Sequence, residues 1–189
     1  PSVAELPARL TAVLEAIYAA YGTGWDDIAG ANDGQHGLSL EALELASLLD
    51  RLMPDTPEIL GLFALMQFCE ARREARRSPT GDFIPLAEQN TAHWSVERIA
   101  LARQALDRAG RQARPGRFQL EAAIQSIHAQ RIETGTTDWH AICLLYEGLL
   151  RLAPTMGARL AQIAALARAC SPSAAWPLLE AIPQAACRD

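Results

Sequence analysis

The stretch Thr137–Pro154, TDWHAICLLYEGLLRLAP, sets the reading of the whole chain. Thr137 offers a hydroxyl cap, and Asp138 places a negative charge where a helix N-terminus favours one. Trp139 and Tyr146 are two turns apart on one stripe, the spacing of a helix face that packs inward. Pro154 then stops the helix. Its ending, Leu149-Leu150-Arg151-Leu152-Ala153-Pro154, is echoed by Leu178-Leu179-Glu180-Ala181-Ile182-Pro183 and, more loosely, by Leu48-Leu49-Asp50-Arg51-Leu52-Met53-Pro54. A helix that ends in Leu-Leu before Pro, followed by another helix, is the pattern of stacked helical hairpins. Helices also end at Pro for purely local reasons, so the pattern alone leaves both readings open.

Working outward, the apolar spacing is helical almost throughout. Val3–Tyr21 carries Leu6, Leu10, Val13, Leu14, Ile17 and Tyr21 on one stripe, and Gly22 and Gly24 are expected to end it. A loop rich in Gly, Asp and Asn should run from Gly22 to Gly37, with Ser39 capping the next helix through Leu52. Thr56-Pro57 signals a further start, with a hydroxyl cap followed by Pro at the first helical position. That helix is expected to reach about Arg76. Ser78–Asp82 reads as a loop and Phe83–Leu86 as a short extended segment. Helices should follow over about His93–Ala109, Phe118–Ile132, Asp138–Leu152, Met156–Ala169 and Ala174–Ile182. The expected fold is all-α, about eight helices in antiparallel hairpins. It forms one domain over residues 1–189, with a weak division into 1–110 and 116–189.

Composition bounds the function. Of 189 residues, 50% are hydrophobic and 21% charged, enough for one packed core. The net charge of -5 opposes the phosphate backbone, so no direct DNA binding is expected. All 17 basic residues are arginine. Cys69, Cys143, Cys170 and Cys187 form no CxxC pair, which fits a reduced, cytoplasmic protein, and no apolar run is long enough for a membrane span. His36, His93, His128 and His140 lack metal-ligand spacing, and Asp26-Asp27 with Asn32, Asp33 and Gly34 miss the calcium-loop rule. Cys69 with His93, and Glu41 with Glu44, are the nearest approaches to a catalytic pair. The first sits in an apolar run and the second on a solvated face. The expectation is a non-enzyme without metal or cofactor.

Candidate contact residues remain. Arg72, Arg73, Arg76 and Arg77 close the Thr56 helix at i, i+4 spacing. They either meet helix-end carbonyls, dock an acidic partner, or fold onto Glu88. Trp94 is an aromatic anchor, read mainly as packing. Trp25, in the Gly-rich loop and flanked by Asp26 and Asp27, is the best candidate for an exposed contact.

Five stretches taken in order carry a resemblance. They are Arg9–Tyr18, Pro54–Met66, Glu70–Arg76, Gln119–Ala129 and Thr137–Pro154. Together they resemble the C-terminal, tetratricopeptide-like extension of bacterial extracytoplasmic-function RNA polymerase sigma factors, over about Arg9–Pro183. The chain departs from that pattern at Gly22–Trp25, at Leu86–Trp94, where an Asp-Arg pair is lost, and at Leu160–Ala164. The resemblance implies a right-handed helical array that regulates transcription initiation. Its partners would be the promoter-binding regions of the same sigma factor, expected before Pro1, or the RNA polymerase core. A homodimer is left open as a further partner. The rivals are a small-molecule sensor and a stand-alone adaptor.

Overall fold

The structure is a computed structural model that describes residues 6–25 and 33–182. Those residues form α1 (Leu6–Trp25), α2 (Asp33–Leu52), α3 (Pro57–Glu70), α4 (Val96–Gly110), α5 (Arg117–Ala129), the single turn α6 (Arg131–Thr134), α7 (Trp139–Leu152), α8 (Met156–Ala169) and α9 (Pro172–Glu180). The fold is therefore all-helical, with eight helices longer than a single turn. Among the described residues there is no sheet, and the one extended pairing is an isolated bridge between Arg77 and Phe83. No described helix is long and apolar enough to cross a membrane.

Several helices start at a capping side chain. Ser95 accepts from the Arg98 amide, Thr155 from Ala158 and Ser171 from Ala174. Each satisfies an amide that the first helical turn leaves without a partner. Two starts differ in detail. Asp138, rather than Thr137, caps α7 by accepting from the Ala141 amide at 3.0 Å. Thr56 holds the extended N-cap geometry before Pro57, but its side chain makes no capping bond. The segment Phe83–Leu86 leads into short 3-10 turns at Leu86–Glu88 and Thr91–His93, and α4 begins later than expected, at Val96.

Helix α3 organises the rest. Its residues from Ile59 to Leu62 and from Ala64 to Glu70 are all buried. A helix that is apolar all round has no solvent face to offer, so it sits in the middle. α3 packs most extensively against α5 and α4, and also against α2 and α1. The closest crossing is at Gly61, where a Cβ would lie 2.6 Å from the Gln119 backbone nitrogen. One turn earlier, Glu58 reaches across to the start of α5. Its carboxylate accepts from the amides of Phe118 and Gln119 at 3.0 and 3.3 Å. α5 has Gly116 at its N-cap and no capping side chain of its own, so α3 supplies the anion that its N-terminus favours.

Sequential neighbours also pack as pairs: α1 on α2, α3 on α4, α7 on α8 and α8 on α9. The links between α7 and α8 and between α8 and α9 are only a few residues, whereas α3 and α4 are joined by the long segment 71–95 that carries the 3-10 turns. One large core spans α1 to α5, and two smaller clusters continue it. The first of these comprises Ile124, Ile142, Leu149 and Ala165, and the second Ile163, Ala175 and Ile182.

Candidate functional site

The glycines at 22 and 24 were expected to end the first helix, and the loop was expected to run to Gly37. Instead α1 continues through both glycines to Trp25, and α2 begins at Asp33. Glycine disfavours a helix by about 1 kcal/mol per residue. The contacts described next outweigh that preference. Asp26 and Asp27 lie outside the described residues.

Trp25 is half-buried and stacks on Tyr21, with ring centroids 5.8 Å apart. Tyr21 is buried and donates to the Met66 carbonyl. Around the indole stand three guanidinium groups, those of Arg72, Arg73 and Arg76, at 6.0, 5.0 and 3.9 Å from the ring centroid. Cations over an indole face gain from its ring quadrupole. Arg76 also donates to the Trp25 carbonyl at 2.8 Å, and Arg73 to the Gly24 carbonyl at 3.5 Å. The arginines thus meet helix-end carbonyls, but those of α1 rather than those of their own helix.

That explains a second difference. α3 was expected to run to about Arg76, yet it ends at Glu70. The chain turns through Arg72 and Arg73 and makes a 3-10 turn at Glu74–Arg76. The i, i+4 faces assumed for the four arginines do not form. Arg73 instead grips Glu70 with two bonds, at 2.7 and 2.6 Å, and donates to Ser39 Oγ at 2.8 Å. The Glu70 side chain is only 3% exposed, so this ion pair ties the ends of α1 and α3 to α2 in a largely dry setting. Ser39, expected as a helix cap, is a buried residue inside α2. Arg77 closes the next turn by donating to the Gly81 carbonyl. Glu88 is exposed in its 3-10 turn and makes no ion pair with these arginines among the described residues. Trp94 is buried beneath the Arg131 guanidinium, 4.9 Å from its ring centroid. Trp25 and the arginine cluster, expected as separate surfaces, form a single knot.

Arg72, the outermost of the three guanidinium groups around the indole, also lines an open groove of about 400 Å³ that Trp25 borders, between α1 and α3 on one side and α5, α7 and α8 on the other. Its nearest polar contact is the Cys69 sulfur at 3.6 Å, and among the described residues it has no carboxylate partner. Burial raises the Cys69 thiol, so Arg72 faces a neutral group. Tyr18 lines the α1 side of the groove, and Gln125, Glu121 and Arg117 of α5 and Tyr146 of α7 line the other. Burial first, and Glu121 second, raise both phenols above their ordinary range, which keeps them as neutral donors. Arg117 is already paired with Glu121 and Glu15. Gln125 Oε1 is buried without a hydrogen-bond partner, which is costly unless something fills the groove. Among the described residues the groove therefore offers one unneutralised cation and one unused acceptor between aromatic rings. A second cleft of about 480 Å³, mostly apolar, lies beyond Arg117 and is walled by Leu10, Leu14, Pro57, Phe118 and Leu152.

Sequence reasoning singled out Arg72 but not Gln125, Glu121 or Arg117. Arg117 and Glu121 stand at i, i+4, a pairing signal that was legible. Gln125 carried none.

No solved structure matches the chain. It is 35% identical over 180 residues to the uncharacterized protein R00370 of Rhizobium meliloti (strain 1021), a match that covers 95% of this chain and 43% of that protein. The chain thus spans less than half the length of the relative. The model of a family of unknown function, DUF6596, matches residues 9–110, which cover α1 to α4 and so include the Trp25–arginine knot. The chain belongs to the DUF6596 family of unknown function.

Proposed function

We propose that this chain is the C-terminal regulatory domain of an extracytoplasmic-function RNA polymerase sigma factor. It acts in the cytoplasm by binding protein rather than by catalysis. Its groove takes an acidic segment of the promoter-binding regions or of the polymerase core, and so modulates initiation. The ordered resemblance over Arg9–Pro183 supports the sigma-factor context, and paired helices are the frame of tetratricopeptide-like scaffolds. The observation that carries the binding reading is Arg72. It is a guanidinium without a carboxylate, in an open groove of polar and aromatic side chains. Such a group steers and orients an acidic partner.

The test supplies the promoter-binding regions of the full-length sigma factor as a separate protein and measures binding by calorimetry. Arg72→Glu should weaken association by about tenfold and flatten its salt dependence. Binding equal to the parent's would remove the groove as the docking surface. A second reading, a small-molecule sensor, draws on the apolar cleft beside Leu10 and Phe118. Stabilisation of the chain by a small apolar ligand, abolished by Leu14→Trp, would favour it.

A further inference from the structure

Helix α2 buries Ser39, Ala42, Leu43 and Ala46 against its own chain. Its opposite side should be polar, and it is not. Leu45, Leu48 and Leu52 are 48%, 40% and 67% exposed, and Leu38 continues the row. Leu38, Leu45 and Leu52 recur every seven residues, with Leu48 three after Leu45. That is the a/d spacing of a helix that packs along a partner helix. On this register Glu44 and Arg51 both occupy g positions, at the edge of the stripe. Both are exposed, and neither has an ion pair among the described residues.

The arrangement of those charges decides the partner. In a parallel pair, Glu44 would face Leu49 of the other helix and Arg51 would face no acid. In an antiparallel pair, g positions face g positions. With the two-fold axis between Leu45 and Leu48, Leu45 of one copy packs on Leu48 of the other, and vice versa. The same register sets Glu44 opposite Arg51 at both ends, and Leu52 over the stem of Glu41. A two-fold contact requires one surface to complement itself, and this one does in both its leucines and its charges.

We propose that a second copy of this chain docks antiparallel along α2, through Leu45, Leu48 and Leu52, with reciprocal Glu44–Arg51 pairs. This interface lies outside the Arg72 groove and does not depend on the function proposed for it. The overlap is only a few helical turns, so the dimer belongs to the weak, small-interface class.

Sedimentation equilibrium of the chain at about 100 µM tests it. The expected mass is twice the 20.5 kDa of one chain. Glu44→Arg alone and Arg51→Glu alone each place like charges at both ends and should weaken the dimer by about tenfold or more. Two results would then be diagnostic. The double swap, Glu44→Arg with Arg51→Glu, should restore the parental dimer. Mixing the two single variants should give a heterodimer, because one presents two cations and the other two acids. Leu48→Glu should leave a helical monomer, with helicity checked by circular dichroism. A parent that stays monomeric overturns the proposal. So does a dimer indifferent to the single swaps, or a double swap no tighter than the singles.

Discussion

Helix α3 and helix α9 are both largely apolar, and the fold treats them in opposite ways. α3 is enclosed by α1, α2, α4 and α5, so nearly every side chain after its first turn is buried. α9 is the last of the described helices; it packs on α8, buries Ala175, and leaves Trp176, Leu178 and Leu179 exposed. A window of hydrophobicity would score them alike. What separates them is the number of neighbours that the topology provides. In a stacked array the central elements have partners on every side and the terminal ones on a single side. Stability should therefore be concentrated around α3 and its attachments and should thin toward the C-terminus.

The largest effect should come from the α3–α5 crossing. In Gly61→Val even the Cβ would meet the Gln119 nitrogen at 2.6 Å and the Phe118 carbonyl carbon at 2.9 Å. Both are backbone atoms of a helix and cannot swing aside. The expected loss is about 4 kcal/mol in urea unfolding, the upper end for an overpacked core. A loss below about 1 kcal/mol would mean that α5 can move away from α3, and the contrast with α9 would fail.

Next is the knot that fixes the end of α3. Arg73→Met leaves the Glu70 carboxylate buried without its partner, at a cost of about 3 kcal/mol. Replacing both residues with Met should recover most of that, since no lone charge remains. If the double variant is as unstable as the single, the guanidinium acts through Ser39 and the Gly24 carbonyl rather than through Glu70.

The knot also shows how far the sequence could be read. Thr56-Pro57 announced the start of α3 because the signal is local: Pro at the first helical position fixes its own backbone. The end of α3 was not legible, because Arg72, Arg73 and Arg76 leave the helix to reach Trp25 and the carbonyls of α1, nearly fifty residues earlier in the chain. The same contacts hold Gly22 and Gly24 in helix where local preference reads a loop. The groove was legible only in part. Arg72 stood out as a charge, while Gln125 and Tyr18 become meaningful once α1 and α5 face each other across it.

A third effect, smaller and dependent on pH, lies where the large core gives way to the α7–α8 layer. His128 on α5 stands edge-on to Trp139 of α7, with centroids 5.4 Å apart. Burial, then the charges of Arg72 and Arg131, lower its pKa from 6.5 to about 4. The unfolded chain takes up this proton near pH 6.5, and the folded chain takes it up only near pH 4. The stability tied to the neutral ring is therefore complete above pH 6.5 and is lost as pH falls toward 4. The loss should reach about 2 kcal/mol, discounted for the ring's partial exposure. Urea unfolding of the parent and of His128→Phe across that range isolates it from the carboxylates that titrate nearby. Parallel pH profiles for the two proteins would show that the ring is hydrated and that this layer is looser than its packing suggests.

The smallest effect belongs to α9 and puts the comparison at its sharpest. Trp176 is 57% exposed, and Pro177 follows it inside a helix of nine residues, where it removes an amide donor. Trp is the largest side chain, and on α3 its truncation would be ruinous. Here much of the ring is already in water, and the helix is held by Ala175 and Ile182 rather than by Trp176. Trp176→Ala should cost about 0.5 kcal/mol or less in global unfolding. Hydrogen exchange should show α9 amides opening at lower free energy than those of α3 in the parent itself, since an element that packs mainly on α8 among the described residues can detach without disturbing the rest. A loss from Trp176→Ala comparable to that from Gly61→Val would mean that α9 unfolds together with α3. Its exposed leucines would then belong to the same cooperative unit as the centre, and position in the array would not be what sets stability.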